Sequence, residues 1–282
     1  MHGIHIAEIL TIGIAFTILV VTLRNLKLPA NGRLVWLAGL IVLPLQPLAY
    51  YLVRVPLDHW LSARFGAGST TYSWLVSLYA PLTEEPAKLV PLLVPAIFRD
   101  IRRENFVRYA IVIGFCFAIG EMWFIADRIA QVPEYAGMPF YKFGGYMGER
   151  LMTCVFHSTF VAVALWRLRR GFALGFAGAA ALHWLGNFPI FLMVWNVGGL
   201  GKGVWSGIVF GFLLLYFFGA LALLTWFTLG KFAPGRAFYG IRHCPECDQD
   251  YDAPFFALNF GATRYERCPH CRRWHWTKAR KA

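Results

Sequence analysis

Apolar residues fall along this chain in blocks of about 20, parted by short polar or Gly/Pro stretches, and a helix of that length crosses a bilayer core of roughly 30 Å. The pattern predicts transmembrane helices near 6–23, 34–53, 72–98, 106–126, 147–166, 171–196 and 204–230. The first block has no basic leading segment and no small-residue cleavage site, so it is expected to remain as a span rather than be removed as a signal peptide. Pro44, Pro47, Pro86, Pro91 and Pro95 would harm soluble helices but are tolerated where neighbouring helices satisfy the freed carbonyls. Between the second and third blocks, Leu57, Trp60, Leu61 and Phe65 recur at helical spacing, which fits either a short interfacial helix or a loop. The expected architecture is an all-α polytopic membrane domain over 1–235, followed by a small separate unit over 240–282.

Composition agrees with the pattern. Hydrophobic residues make up 58% and charged residues only 15%, against about 25% charged in a soluble domain. A cytosolic globular enzyme and a disordered chain are both excluded on this ground. The formal charge of +12 becomes informative once the cations are placed. The three short odd-numbered loops hold ten (Arg24, Lys27 and Arg33; Arg99, Arg102, Arg103 and Arg108; Arg167, Arg169 and Arg170), and the tail holds ten more. The even-numbered loops hold six: Arg54, Arg64, Arg128, Lys142, Arg150 and Lys202. By the positive-inside rule this predicts a multi-pass protein of the cell membrane with its N-terminus outside and its C-terminus in the cytosol. The basic charge then needs no nucleic acid to explain it.

Of six cysteines, Cys116 and Cys154 stand singly inside spans and read as small packing residues. The other four form Cys244-Pro-Glu-Cys247 and Cys268-Pro-His-Cys271, a spacing that predicts a structural zinc ribbon. Disulfides are disfavoured in a reducing cytosol, and rubredoxin-like iron is the lesser rival. So short a tail has too little core to fold alone, and metal would supply the folding energy. Arg272, Arg273, Lys278, Arg280 and Lys281, interleaved with Trp274 and Trp276, can face RNA, anionic lipid or a protein partner, or simply form a solvated cationic tail.

Ionisable residues inside spans are costly and mark functional sites. Here they are Glu84, Glu85 and Lys88 in the third block, Glu121 in the fourth, His157 in the fifth, and His183 with Asn187 in the sixth. Counted from the block ends, Glu84, Glu121, His157 and His183 reach depths of roughly 15–23 Å, near the bilayer centre, although two blocks enter from each side. Lys88 lies four residues from Glu84 and three from Glu85, so it can neutralise either. His183 and Asn187 share a helix face, so the amide can orient the imidazole or hold a reacting oxygen. Glu8, Asp127 and Glu149 lie near block ends and are set aside. Two hydrolytic chemistries suit the cluster: a glutamate that activates water as general base, or a divalent metal held by acids and imidazoles. Proton-coupled transport would also use buried carboxylates. A membrane-tethered binding module with the ribbon as its working end is the third reading.

The ordered motifs Glu84-Glu85-Pro86-Ala87-Lys88, Gly114 to Glu121, His157, and His183-Trp184-Leu185-Gly186-Asn187 resemble the PrsW family of intramembrane proteases, within a superfamily that includes the CAAX prenyl-protein proteases. The resemblance covers the third to sixth blocks only. It implies an intramembrane endopeptidase that cuts membrane-anchored proteins, such as anti-sigma factors. It further implies that Glu84 activates water with Glu85 as partner, and that His183 and Asn187 serve the oxyanion side. Phe117-x-x-x-Glu121 follows PrsW-like proteins, where CAAX proteases carry histidine, and Met122 departs from the asparagine of many PrsW relatives. The metal-free glutamate route is preferred at this stage, with a divalent metal at the Glu/His site as the other possibility. The ribbon is expected to recruit or position the substrate.

Overall fold

In a computed structural model, described for residues 2–26, 28, 30–169, 171–229, 241–252, 257–260 and 263–278, the chain is mostly helical. It divides into two compact units, Met1–Leu224 and Thr225–Ala282. Lys27, Arg170, Arg280, Lys281 and the expected boundary stretch near 235–240 lie outside the described residues.

In the first unit, α1 spans Gly3–Asn25 and α2 Gly32–Val42. From α2 the chain stays helical through α3 (Leu45–Ala49), a π-turn at Tyr50–Arg54 and α4 (Val55–Phe65). The segment predicted at 34–53 therefore runs on without a break into α4, so the stretch around Leu57 to Phe65, open to a helix or a loop from its sequence, is helical. Pro44 and Pro47 at the head of α3 deprive the ladder of two N–H donors there, and the register widens within one turn.

The segment predicted as a single helix at 72–98 is broken. It forms α5 (Thr70–Ser77), α6 (Tyr79–Leu89), a 3₁₀ turn at Val90–Leu93 and α7 (Pro95–Asp100). Val94 is extended because the following proline ring disfavours the helical region for it. Pro86, in contrast, is carried within α6 without a break. The remaining helices are α8 (Phe106–Ala130), α9 (Gly144–Trp166), α10 (Phe172–Val194) and α11 (Gly201–Leu229).

Five of these stretches are long and apolar enough to cross a membrane: Gly3–Asn25, Gly32–Phe65, Phe106–Ala130, Phe172–Val194 and Gly203–Thr228. The predicted fifth segment, α9, has the length but carries Glu149, Arg150 and His157. Large apolar side chains such as Leu52, Leu93, Phe210 and Leu215 are left exposed on the outside of the helices. A soluble monomer rarely shows so much apolar surface, and a membrane protein turns it to lipid.

The core is built on α8, which is buried on almost every side from Phe106 to Ala118 and packs against α1, α2 and α9. Two glycines permit these approaches. A Cβ on Gly114 would lie 2.3 Å from the Ser158 nitrogen of α9, and one on Gly120 would lie 1.9 Å from the Leu43 carbonyl oxygen. In turn, α10 packs against α9 and α6. Cys116 and Cys154 are buried free thiols, as their isolation predicts.

In the second unit, β1 (Ile241–His243) pairs antiparallel with β2 (Asp250–Asp252). A second sheet has the order β3 (Leu258–Phe260), β4 (Thr263–Arg267), β5 (Trp274–Lys278), all antiparallel. Along β4 and β5 the alternation of strand side chains buries Arg264, Glu266, His275 and Thr277 and exposes Trp274 and Trp276.

Candidate active site

The side chains predicted from four separate segments converge in the first unit. Glu84, Glu85 and Lys88 come from α6, Glu121 from α8, His157 from α9 and His183 from α10. They meet at a cavity of about 230 Å³ whose wall includes Glu84, Glu121, His157, His183 and Asn187. Glu84, Glu85, Lys88, His157 and His183 are all buried.

Each of the three predicted carboxylates has its own cation. Lys88 Nζ donates to Glu85 Oε1 at 2.5 Å, which resolves which of its two neighbours it serves. The ammonium also lies 4.9 Å from the Phe117 ring centroid and 5.5 Å from that of Phe160, so ring faces take the place of water. Arg54 donates to Glu84 Oε1 and, at 2.7 Å, to Thr83 Oγ1. Arg150 lies 3.2 Å from Glu121 Oε2 and grips both oxygens of Glu149 at 2.5 Å.

Arg54, Glu149 and Arg150 were not expected here. The two arginines count as loop cations in the apolar pattern, and Glu149 falls at a block end. One signal did exist for Arg150: it precedes His157 by seven residues, two helical turns, and so shares its face. No comparable local signal marks Arg54.

The histidines are oriented by carboxylates. His183 Nδ1 lies 2.6 Å from Glu85 Oε1, and His157 Nε2 lies 3.0 Å from Glu121 Oε2. Facing carboxylates, those nitrogens carry the ring hydrogens. In a neutral ring the other nitrogen, Nε2 of His183 or Nδ1 of His157, is the acceptor. His183 Nε2 is 3.7 Å from Glu84 Oε2, and neither Glu84 Oε2 nor His157 Nδ1 has a hydrogen-bond partner although both are fully buried. Phe160 stacks on His183 with centroids 5.2 Å apart, and Phe117 meets His157 edge-on at 5.1 Å, which fixes both rings.

Asn187 does not orient His183. Its amide lines the cavity and has no hydrogen-bond partner among the described residues, while Glu85 takes the orienting position from α6. The amide is thus left to meet whatever occupies the cavity.

One ligating atom from each of Glu84, His157 and His183 lies within 4.8 Å of the other two. Ligands at about 2.1 Å in a tetrahedral site stand roughly 3.4 Å apart, so a contraction of about 1 Å would bring this set onto an ion. Two histidines and one glutamate, with each imidazole also held by a further carboxylate, is a donor set that divalent metals accept.

Comparison with protein-family models, curated proteins and solved structures finds no match to this chain. Its function has to be argued from the two constellations alone.

The second constellation is the four-cysteine cluster of the tail. Cys244, Cys247, Cys268 and Cys271 lie at metal-binding distance from one another. Cys244 Sγ is 3.6 Å from Cys271 Sγ, and Cys247 Sγ is 3.8 Å from Cys268 Sγ. A disulfide needs about 2.05 Å, whereas four thiolates around zinc at about 2.3 Å stand roughly 3.8 Å apart. The two knuckles repeat one design. The N–H of each first cysteine, Cys244 or Cys268, donates to the carbonyl five residues on, and each first carbonyl accepts from the N–H four residues on. In both, that fourth residue is left-handed: Asp248 (φ 56°) and Arg272 (φ 61°). Burial opposes a charge on Cys268, but the Cys271 and His270 N–H groups outweigh it and lower the thiol to about 7. Beneath the knuckles, Glu266 accepts from Thr277 at 2.6 Å and from the Tyr251 hydroxyl at 3.0 Å, and His275 reaches Cys244 Sγ at 4.0 Å.

Proposed function

We propose that this chain is a PrsW-like intramembrane endopeptidase that hydrolyses peptide bonds of membrane-anchored proteins, with a divalent metal held by Glu84, His157 and His183. The observation that supports it is one ligating atom from each of Glu84, His157 and His183 within 4.8 Å of the other two at a buried cavity, with Glu84 Oε2 left without a hydrogen-bond partner. Such a set is electrostatically unfavourable until a cation, a proton or a water's hydrogens enter. That convergence moves the weight from the metal-free glutamate route to the metal-assisted one. A metal so held would lower the pKa of a bound water to about 7 and would polarise a carbonyl. Glu85 and Glu121 orient the two imidazoles, through Nδ1 of His183 and Nε2 of His157. Arg54 holds Glu84 by its outer oxygen and leaves the inner one free. Asn187 faces the cavity where its N–H groups can donate to a developing oxyanion.

The membrane reading keeps seven spans, counting broken α5–α7 and polar α9 as two, with the N-terminus outside and a zinc ribbon in the cytosol. The cation asymmetry of the loops supports that direction, and the sulfur spacing supports zinc. A panel of single-span peptides reconstituted with the protein tests the activity. Glu84→Gln should abolish cleavage while peptide binding persists. Cleavage that survives in Glu84→Gln rejects the proposal, and loss of ion or solute flux without any cleavage would instead show a transporter. Metal analysis of the full chain should find two divalent ions per molecule, falling to one in His183→Ala with the ribbon intact. A single ion in both would return the chemistry to a metal-free glutamate.

A further inference from the structure

A second cavity, of about 510 Å³, borders the first. Arg54 and Ala80 line both. Its other walls include Tyr50, Asp58, Tyr79 and Phe191. Asp58 follows Arg54 by four residues in a continuous helical stretch, the spacing at which an acid and a base normally pair. They do not pair. The Arg54 guanidinium turns to Glu84 and Thr83, into the wall of the reaction cavity.

Asp58 is held differently. Its Oδ1 accepts from the Tyr72 hydroxyl at 2.7 Å and from the Tyr79 hydroxyl at 3.1 Å. Both hydroxyls donate to the same oxygen, so neither bond engages Oδ2. Among the described residues no cation pairs with it. Arg54 is already neutralised by Glu84, so the ionisable groups left to the second cavity are the Asp58 carboxylate and the His59 imidazole. Its volume is in the range that takes a small ligand, and the rings of Tyr50, Tyr79 and Phe191 suit both the apolar stem and the charged head of a long basic side chain.

We propose that this cavity is a specificity subsite for a lysine or arginine of the substrate, with Asp58 as its counter-charge and Arg54 as the partition between subsite and reaction centre. The assignment rests on the hydrolase reading, since it places the basic residue beside the scissile bond. Asp58 also ties α4 to α5 and α6 through the two tyrosines, a structural role that the test must separate.

Membrane-anchored peptides that differ only in carrying Lys, Leu or Glu at each position flanking the cleaved bond provide that test. At one position, kcat/KM should favour Lys over Leu by about tenfold or more, as expected for a charge-assisted contact out of bulk water. Asp58→Asn keeps an oxygen to accept both tyrosine hydroxyls but removes the charge, and should bring the Lys/Leu ratio close to one. A ratio that stays high while both peptides slow together would show a structural tie and overturn the subsite. Absence of any Lys preference in the unmodified protein would overturn it equally. Fluorescence anisotropy of the same uncut peptides on Glu84→Gln protein, with and without Asp58→Asn, gives a readout independent of turnover. If no peptide is cut, the hydrolase reading fails, and the Lys preference in binding still decides the fate of Asp58.

Discussion

Lys88 is fully enclosed, with one carboxylate and two aromatic faces as its surroundings. Breaking a buried ion pair from one side typically costs about 3–5 kcal/mol, because the remaining charge has no partner. Lys88→Met should therefore destabilise the helical unit by that amount, read from its melting in detergent. Adding Glu85→Gln to it should recover part of the loss, and recovery of none would mean that the lysine acts through packing alone. Spacing in the chain placed Lys88 within reach of both glutamates but could not choose between them, since i+3 and i+4 neighbours are nearly equidistant on a helix. The choice depends on Arg54, which comes from thirty residues earlier and occupies Glu84. The same limit applies to Asn187, whose share in orienting His183 looked plausible from spacing and is taken in fact by Glu85 on another helix.

Helix existence was legible wherever one long apolar block met clear punctuation, as in α1, α8 and α10. Helix continuity was not, where prolines cluster. Pro86 is absorbed in α6, while Pro91 and Pro95 end a helix and begin the next, and composition alone treats them alike. The α8 glycines carry a sharper expectation. Gly120→Val would drive its side chain into the Leu43 carbonyl, which is backbone and has nowhere to go. Overpacking of this kind costs about 1–3 kcal/mol or more and shifts the helix that presents Glu121, so both melting temperature and cleavage should fall. Gly13→Ala, with nothing within 4 Å of the added carbon, should stay within about 0.5 kcal/mol of the parent. Equal losses from the two substitutions would contradict the close packing assigned to α8.

At the scale of the whole molecule, the chain joins a large helical unit to a small cysteine-rich one, and the two should respond separately to metal removal. A strong chelator, or Cys268→Ser, should open the tail to proteolysis while the helical circular dichroism of the first unit persists. Loss of both together would contradict the separate response of the two units, and a tail that stays resistant would show that it does not depend on its own metal. Cysteine spacing announced this unit plainly, because two C-x-x-C turns admit few other uses. Its buried Glu266–Tyr251–Thr277 network was invisible in residue order, since strand register alone brings those groups together.

The acids and bases around the reaction cavity have a further consequence when formal charges are counted. Glu84, Glu85, Glu121 and Glu149 face only Arg54, Lys88 and Arg150, so with neutral histidines the walls sum to minus one. A dication would invert that sign to plus one. A single proton on an imidazole would bring the same walls to electroneutrality without a metal, and neutrality is the least costly state for buried charges. The imbalance of a single carboxylate is thus what would make these walls receptive to an added positive charge, whether it arrives as a cation or as a proton.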